Sequence, residues 1–274
     1  MRNFFICPVC EKKLNEEERL YRCESGHCFD KSKFGYVNLL MSQKSSAKRH
    51  GDDRLMVRAR RDFLSKNYYG FLRDRLCVIC EKHFEGGSVI LDAGCGECWY
   101  SSGILDYLSS KNIEAEFFGI DISKDALEFA SKRKSGIRAA VASLFSIPLP
   151  DESCDGLLNI FSPGAFEEFR RVLKTDGILI RVIPLEKHLF NLKAAIYDKP
   201  YFNDVPGPAI EGFELIEETE LKKTINIRGN KDIEALFMMT PYYYKTGKDD
   251  QQKLESLESF STQAEFGIRI YKKI

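Results

Sequence analysis

The sequence predicts an α/β fold in which a small N-terminal module precedes a doubly wound, largely parallel sheet. From residue 88 onward, short apolar runs alternate with segments of helical periodicity, and this β-α-β-α order is typical of a parallel sheet with helices on both faces. A glycine-rich turn follows the first apolar run, and the first 28 residues contain four cysteines and a histidine. We therefore expect two structural units with different chemistry.

The composition indicates a folded protein without a membrane span. Of 274 residues, 43% are hydrophobic and 30% are charged, a balance that supports a core and excludes general disorder. No apolar run approaches the ~18 residues of a transmembrane helix, and the N-terminus lacks the apolar region of a secretory signal. We therefore expect a cytoplasmic protein. The odd number of cysteines, nine, argues against a closed disulfide framework and favours metal ligands or buried thiols.

The charges are balanced overall but unevenly distributed along the chain. Residues 1–75 contain 17 Lys and Arg against 10 Asp and Glu, a net charge of +7, and the remaining residues contain 24 against 31, a net charge of −7. A basic N-terminal third is what contact with a polyanion requires. The alternative is a solvated surface on which the charges cluster by chance.

The N-terminal cysteines have the spacing of a zinc site. Cys7-x2-Cys10 is followed after twelve residues by Cys23-x3-His27, and tetrahedral zinc takes its ligands from two such closely spaced pairs. Cys28, next to His27, is the alternative fourth ligand. Such a site usually folds a small module and does no chemistry. The sequence therefore predicts one structural zinc ion, held by Cys7, Cys10, Cys23 and His27.

The segment between this module and the sheet is polar and basic. We interpret residues 36–60 as a connector in which a helix begins near Asp52. Apolar residues at helical spacing predict helix over 54–82. The expected organisation is a zinc-binding module over 1–35, a basic connector and helix over 36–82, and an α/β domain over 83–274.

The elements of the sheet follow in order. Each predicted strand is a short apolar run, each predicted helix has apolar residues at helical spacing, and Ser123 is placed to cap the second helix. The predicted strands span 88–92, 116–121, 137–142, 154–161 and 178–183. The predicted helices span 99–110, 124–134 and 165–173. A turn at 175–177 precedes the fifth strand, and long strand-like runs follow residue 213.

The turn after the first of these strands has the pattern of a nucleoside-binding loop. In the sequence DAGCGE over 92–97, Gly94 and Gly96 let the backbone approach a ligand. Asp121 ends the next strand, where an acid accepts hydrogen bonds from a ribose in dinucleotide-type folds. Trp99 stands where a third glycine would serve a phosphate, so a nucleoside without a pyrophosphate fits better. The alternative is an ordinary glycine turn of an α/β fold.

Four further cysteines imitate a second zinc site. Cys77-x2-Cys80 and Cys95-x2-Cys98 have suitable spacing, but Cys77 and Cys80 lie on the apolar side of a predicted helix and Cys95 lies inside the glycine loop. Because free cysteine is among the most buried residue types, we interpret these four as buried thiols.

The loop over 92–97, together with the acid Asp121, resembles the cofactor loop of class I S-adenosylmethionine-dependent methyltransferases. Other segments resemble that family in the expected order along the chain. Residues 141–143 and 147–150 resemble the segment that packs on adenine. Residues 155–157 resemble the start of the fourth strand, and residues 171–177 resemble the turn before the fifth strand. The resemblance implies a Rossmann-like methyltransferase sheet and S-adenosylmethionine as the cofactor.

The zinc motif makes the resemblance closer. With it, the segments GYVNLL at 35–40, ARRDFL at 59–64 and MTP at 239–241 are similar to those of the large-subunit (23S) ribosomal RNA guanine-N1 methyltransferases. The resemblance covers essentially the whole chain. It implies an RNA-recognising zinc module, a homodimer, and methylation of N1 of a guanine in a hairpin loop of large-subunit ribosomal RNA.

The same resemblance implies which residues surround the cofactor. Tyr69, before the sheet, and His188, after the fifth strand, join Gly96 and Glu97 in the expected site. The full expected set is Tyr69, Asp92, Gly94, Gly96, Glu97, Asp121 and His188. The sequence departs from the family at Cys98, which replaces a usual glycine, and at 160–163, where IFSP replaces an aromatic-Ala-Pro sequence near the expected target base.

Guanine N1 carries a proton that must be lost, and the sequence does not identify the general base. Glu167, Glu168 and His188 are the candidates. The basic residues between the module and the sheet are expected to line an RNA path, or else to face solvent or pair with Asp52 and Asp53. They are Lys44, Lys48, Arg49, Arg54, Arg58, Arg60 and Arg61.

Two other functions remain open to the sequence. One is a small-molecule methyltransferase with an appended zinc module, which the basic N-terminal third argues against. The other is a zinc-dependent RNA-binding adapter with a relic methyltransferase fold, and the intact cofactor motif argues against it.

Overall fold

A computed structural model describes residues 4–41 and 51–274. Within these ranges the strands are Leu14–Glu16 (β1), Leu20–Cys23 (β2), Cys28–Asp30 (β3), Val37–Asn38 (β4), Val89–Ala93 (β5), Glu116–Asp121 (β6), Arg138–Val141 (β7), Cys154–Ile160 (β8), Leu173–Pro184 (β9), Phe213–Arg228 (β10) and Ser259–Lys273 (β11). The helices are Arg54–Ser65 (α1), Gly70–His83 (α2), Trp99–Ser110 (α3), Lys124–Lys132 (α4), Phe166–Val172 (α5), Phe190–Ile196 (α6), Asn230–Met238 (α7) and Lys248–Gln252 (α8). No helix in this part of the chain is long and apolar enough to cross a membrane.

The strands form two sheets. Strands β1, β2 and β3 make a small antiparallel sheet in the N-terminal module, and the large sheet has the order β10-β11-β9-β8-β5-β6-β7-β4. The strands from β9 to β4 pair in parallel, whereas β11 pairs antiparallel with both β9 and β10. The predicted doubly wound sheet is therefore confirmed, and the strand-like runs after residue 213 add an antiparallel ribbon at one edge.

The large sheet is covered on both faces. Strand β5 is buried at every position, as expected for a central strand between two helical layers. Helices α2, α3, α6 and α7 contribute to the hydrophobic cluster on one face, and α5 and the N-terminal module contribute to the cluster on the other. As predicted, the Ser123 hydroxyl caps α4, because it accepts a hydrogen bond from the Ala126 backbone N–H at 3.3 Å. This arrangement leaves the carboxyl ends of the parallel strands for a site.

The N-terminal module packs directly on the large sheet. The rings of Phe5 and Phe118 meet edge to face with centroids 5.5 Å apart, and the Ile6 N–H donates to the Pro148 carbonyl at 3.0 Å. Strand β4 then pairs in parallel with β7. The start of the expected connector is therefore an edge strand of the main sheet, because its apolar residues, such as Val37, complete the core. The expected domain boundaries stay a prediction.

The helix expected over 54–82 is two helices. Asp53 caps α1 as its carboxylate accepts the Met56 N–H at 2.9 Å, close to the predicted start. The chain turns between α1 and α2, where Asn67 has a φ of 63°. The turn lets Phe63 on α1 and Leu72 on α2 both enter the core, which one straight helix would not do. Both helices thus pack into the hydrophobic cluster on one face of the large sheet.

The turn expected at 175–177 lies within β9. The pairing of β9 with β8 passes from Leu173 opposite Cys154 to Ile178 opposite Gly156, so the extra residues bulge out of the ladder. Asp176 at the bulge has a φ of 65°. The strand continues on both sides of this bulge. The sequence indicated a break because the bulged residues do not follow the strand pattern.

Candidate functional site

Four side chains of the N-terminal module converge on one point. One ligand atom from each of Cys7, Cys10, Cys23 and His27 lies within 4.8 Å of the others. His27 Nδ1 is 3.5 Å from Cys7 Sγ and 3.3 Å from Cys23 Sγ, and the Sγ atoms of Cys10 and Cys23 are 3.6 Å apart. Zinc bonds of ~2.3 Å to sulfur and ~2.0 Å to nitrogen set ligand atoms roughly 3.5–3.8 Å apart. The donor set and its spacing therefore fit one four-coordinate zinc ion.

Backbone turns and backbone hydrogen bonds favour metal binding by these ligands. The Gly26 N–H donates to the Cys23 carbonyl at 2.9 Å in a tight turn, and the φ of 84° at Gly26 favours glycine. In the other pair, a hydrogen bond from the Lys12 backbone N–H lowers the pKa of Cys10 to about 6. Because zinc binds the thiolate, this environment favours coordination.

The other cysteines of the described ranges do not form a second such cluster. Cys28 is exposed, and its Sγ donates to the Gly26 carbonyl at 3.3 Å, outside the cluster. Cys77 and Cys80 are buried on α2, and burial raises the pKa of Cys77 to about 11. Cys95 and Cys98 are also buried. The interpretation of these four as buried thiols is confirmed.

The loop between β5 and α3 is anchored by Asp121. Asp121 Oδ2 accepts the Gly96 N–H and Oδ1 accepts the Ser123 N–H, both at 2.8 Å. Gly94 and Gly96 have φ values of 84° and 53°, a conformation that favours glycine. Burial raises the pKa of Asp121. This acid therefore fixes the shape of the loop and keeps further acceptor capacity for a ligand.

Glu97 is a buried acid beside the same loop. Its Oε1 forms an ion pair with Arg133 Nη2 at 2.8 Å, and Arg133 Nε donates to the Glu97 backbone carbonyl at 2.9 Å. Neither carboxylate oxygen has an aligned hydrogen bond from the described residues, and burial raises the pKa of Glu97. The Glu97 carboxylate is therefore available to accept hydrogen bonds from a ligand.

Tyr69 and His188 come together from distant parts of the chain. Their ring centroids are 6.2 Å apart, and both rings pack on Phe266. His188 Nδ1 accepts the Glu265 backbone N–H at 3.1 Å, so the proton of the neutral ring resides on Nε2. Burial lowers the pKa of His188 to about 3, so the ring is neutral at pH 7. His188 is 8% exposed, so its ring lies in the interior of the protein.

Several buried polar atoms around the loop lack a partner within the described structure. They are the hydroxyl oxygens of Tyr69 and Tyr100 and the Oε2 atom of Glu97, whose Oε1 atom faces Arg133. Unpartnered buried polar atoms are uncommon in folded proteins and call for a ligand or water. A nucleoside cofactor with hydroxyl and amino groups supplies such partners, so these residues fit S-adenosylmethionine.

The segment after β8 is tied to the cofactor loop. The Ser162 hydroxyl donates to the Ala93 carbonyl and accepts from Asn159 Nδ2, both at 2.6 Å. A Cβ at Gly94 would lie 2.4 Å from the Ser162 Cβ, so this close approach requires glycine. Phe161, with a φ of 55°, leaves 43% of its surface exposed. Sequence reasoning missed Asn159, whose only signal is a polar residue inside an apolar strand.

Two of the three candidate bases are engaged elsewhere. Glu168 Oε2 accepts the Ile147 N–H at 2.6 Å, and Glu168 Oε1 accepts Arg171 Nε at 2.7 Å. His188 presents a protonated Nε2 and an Nδ1 that already accepts a hydrogen bond. Glu167 is exposed on α5. None of the three candidates is therefore a buried group that is free to remove a proton near β8.

The expected RNA-path residues have mixed environments. Arg60 pairs with Asp52 at 2.5 Å, the alternative that the sequence left open. Arg54 approaches Asp125 at 3.8 Å, and Arg58 is exposed. Three of the set, Lys44, Lys48 and Arg49, lie outside the described residues. The path itself stays a prediction.

Two protein families match the chain in separate segments. Residues 5–48 match a zinc-ribbon family described as the N-terminal part of RlmA, and residues 91–181 match a family described as a methyltransferase domain. The first match covers the Cys/His cluster, and the second covers the cofactor loop. The cofactors of these two units are one structural zinc ion and S-adenosylmethionine.

Relatives match over most or all of the chain. YxjB of Bacillus subtilis, named as a 23S rRNA (guanine-N1)-methyltransferase, is 30% identical over 99% of this chain and 98% of its own length. The 23S rRNA (guanine(748)-N1)-methyltransferase of Streptomyces fradiae is 33% identical over 70% of this chain and 68% of its own length. A Micromonospora griseorubida protein named for the same guanine-N1 activity is 33% identical over 68% of this chain and 67% of its own. The expected resemblance is confirmed, and the chain belongs to the 23S rRNA guanine-N1 methyltransferase family.

Proposed function

We propose that this enzyme transfers a methyl group from S-adenosylmethionine to N1 of a guanine in a hairpin loop of 23S ribosomal RNA. One observation carries the proposal: the similarity to YxjB spans 99% of the chain, so it includes both the zinc module and the cofactor loop. A small-molecule methyltransferase needs only the second of these. The basic N-terminal third favours a polyanionic substrate.

The proposed cofactor site combines residues from before, within and after the parallel strands of the large sheet. S-adenosylmethionine supplies an electrophilic methyl group on its sulfonium sulfur. Asp121 and Glu97 offer carboxylate oxygens to the ribose, and the protonated Nε2 of His188 offers a donor. The full proposed set is Tyr69, Asp92, Gly94, Gly96, Glu97, Asp121 and His188. The main contribution of the chain is to hold the reacting groups in line, which lowers the barrier by orientation.

The zinc site is proposed to shape the RNA-binding module without taking part in the chemistry. Its proposed ligands are Cys7, Cys10, Cys23 and His27, which leave no open coordination position for a substrate. We further propose that the protein acts as a homodimer in the cytoplasm, as its resemblance to the family implies.

Replacing Asp121 with Ala is expected to weaken S-adenosylmethionine binding by about tenfold or more, because a hydrogen bond to a charged acceptor is worth ~1.5–3 kcal/mol. The variant also loses the anchors of the Gly96 and Ser123 N–H groups. Titration calorimetry measures the affinity, with the exposed Asp249→Ala as the control. Unchanged affinity in a folded Asp121→Ala protein would contradict this placement.

The proposed reaction is tested on 23S ribosomal RNA from a strain that lacks the modification. The purified protein and S-adenosylmethionine are expected to produce 1-methylguanosine, detected by nucleoside mass spectrometry. Because a methyl group on N1 blocks base pairing, reverse transcription should stop at one guanine. Transfer to another atom, or to small molecules only, would refute the proposal.

A further inference from the structure

Two buried polar atoms at the end of the sheet have no hydrogen-bond partner in the part of the chain that the structure describes. Asn159 on β8 and Arg181 on β9 are direct neighbours in the parallel register. Asn159 Oδ1 and Arg181 Nε are both buried and lack hydrogen-bond partners among the described residues. One atom is an acceptor and the other a donor, and each such atom in a native structure calls for an explanation.

The orientation of the Asn159 amide is determined by its donors. Asn159 Nδ2 donates to the Ser162 hydroxyl at 2.6 Å and to the Pro163 carbonyl at 3.1 Å. Exchanging the amide nitrogen and oxygen would lose the contact with the Pro163 carbonyl, so Oδ1 is the free acceptor. Asn159 is 1% exposed, and within the described ranges nothing donates a hydrogen bond to this buried oxygen.

Arg181 is a half-buried cation whose Nε has no hydrogen-bond partner among the described residues, and its guanidinium interacts with the side chain of Tyr271. Its guanidinium lies over the Phe166 ring, 5.0 Å from the centroid. The neighbouring Arg269 on β11, in contrast, pairs with Glu218 at 2.6 Å. Burial lowers the pKa of Arg181, and the nearby cation Arg269 lowers it too, whereas Tyr271 raises it.

Both residues lie where the fold brings substrate and cofactor together. Asn159 and Arg181 are near the carboxyl ends of β8 and β9, the edge of an open α/β sheet that binds ligands. Through Ser162, Asn159 is linked to the Ala93 carbonyl at the start of the cofactor loop. A group bound by this pair would therefore lie beside the cofactor.

We propose that Arg181 and Asn159 form the subsite that reads the target guanine, an inference that rests on the proposed function. Guanine N1 is flanked by O6, an acceptor, and by the N2 amino group, a donor. Arg181 donates to O6, the atom that arginine commonly reads in guanine, and Asn159 Oδ1 accepts from N2. The two contacts hold N1 between them.

The same contact explains how N1 loses its proton although Glu167, Glu168 and His188 are not placed to remove it. When the N1 proton leaves to water, the negative charge is shared with O6, and a guanidinium at O6 stabilises this anion. The N1 electron pair then forms the new N–C bond, while the electron pair of the broken S–C bond stays on sulfur as a neutral thioether. By stabilising the anion, Arg181 lowers the pKa of guanine N1 and so reduces the need for a general base.

The first test is the pH dependence of methyl transfer by Arg181→Met. We expect kcat/KM near pH 7 to fall by about 10²-fold, the loss typical of one donor to a developing oxyanion. The rising limb of the pH–rate profile should also move to higher pH, and Arg181→Lys, which keeps the charge, should restore part of both. Arg170→Met, an exposed change on α5, is the matched control.

The second test needs no variant. RNA with inosine at the target keeps O6 and N1 but lacks the N2 amino group, so we expect the wild-type enzyme to lose about tenfold in kcat/KM. Equal rates for guanosine and inosine, or an Arg181→Met profile with an unmoved limb, would overturn this inference while leaving the proposed function intact. A wild-type enzyme that transfers no methyl group to guanine N1 would overturn both.

Discussion

Replacing Cys10 with Ser is expected to release the zinc ion and unfold the N-terminal module, whereas Cys28→Ser should leave both intact. Structural zinc in small modules contributes ~10–16 kcal/mol of apparent binding free energy, and this energy is also folding energy. Cys10 lies in the cluster, and the exposed Cys28 lies outside it. The two variants make the same chemical change, so their difference isolates coordination.

The effect of zinc loss should extend to the large sheet. Phe5 and Leu14 are almost fully buried and belong to the same hydrophobic cluster as Phe118 of β6. When the module unfolds, these apolar contacts are lost and β4 loses the support next to it. We therefore expect a lower melting temperature for Cys10→Ser and rapid proteolysis of the module.

Zinc content by elemental analysis and limited proteolysis measure these outcomes together. One zinc ion per chain is expected for the wild type and for Cys28→Ser, and none for Cys10→Ser. If Cys28→Ser lost the metal while Cys10→Ser kept it, the proposed ligand set would be wrong. A reduced wild-type protein without zinc would contradict the site as a whole.

The centre of the sheet was predictable from sequence because its signals are local. The helix Trp99–Ser110 and the strand Glu116–Asp121 have the predicted bounds. Their apolar periodicity and flanking turns coincide with the tertiary environment, so propensity and packing agree. The spacing of the zinc motif is equally local, since each ligand pair lies within one turn.

What the sequence did not predict depends on contacts between distant segments. The bulge in β9 follows from its register with β8, and the pairing of β4 with β7 joins residues about a hundred positions apart. The Asn159 and Ser162 hydrogen bonds to the cofactor loop likewise join β8 to β5. No local sequence pattern encodes such pairings. The role of Asn159 therefore could not be predicted from its position in an apolar run.

The acid that opens the cofactor loop makes the protein less stable as the pH rises. Asp92 is 2% exposed at the end of β5, and burial together with the nearby charge of Asp121 raises its pKa to about 7. In the unfolded chain an Asp has a pKa of ~3.9. Between these values the folded chain must keep a proton that the unfolded chain releases, so stability falls as pH rises through this window.

Asp92→Asn is therefore expected to stabilise the cofactor-free protein, and more so at pH 8 than at pH 5. At 1.36 kcal/mol per pKa unit, the buried carboxylate costs roughly 4 kcal/mol above its folded pKa and about 1.5 kcal/mol at pH 5. The gain from Asn should thus be larger at pH 8 by roughly 2–3 kcal/mol, as measured by urea denaturation. The exposed Asp106→Asn on α3 is the control and should change stability little at either pH. A gain from Asp92→Asn that does not depend on pH would mean that the carboxylate is ionised in the folded protein, and that its burial is compensated by hydrogen bonds within the loop.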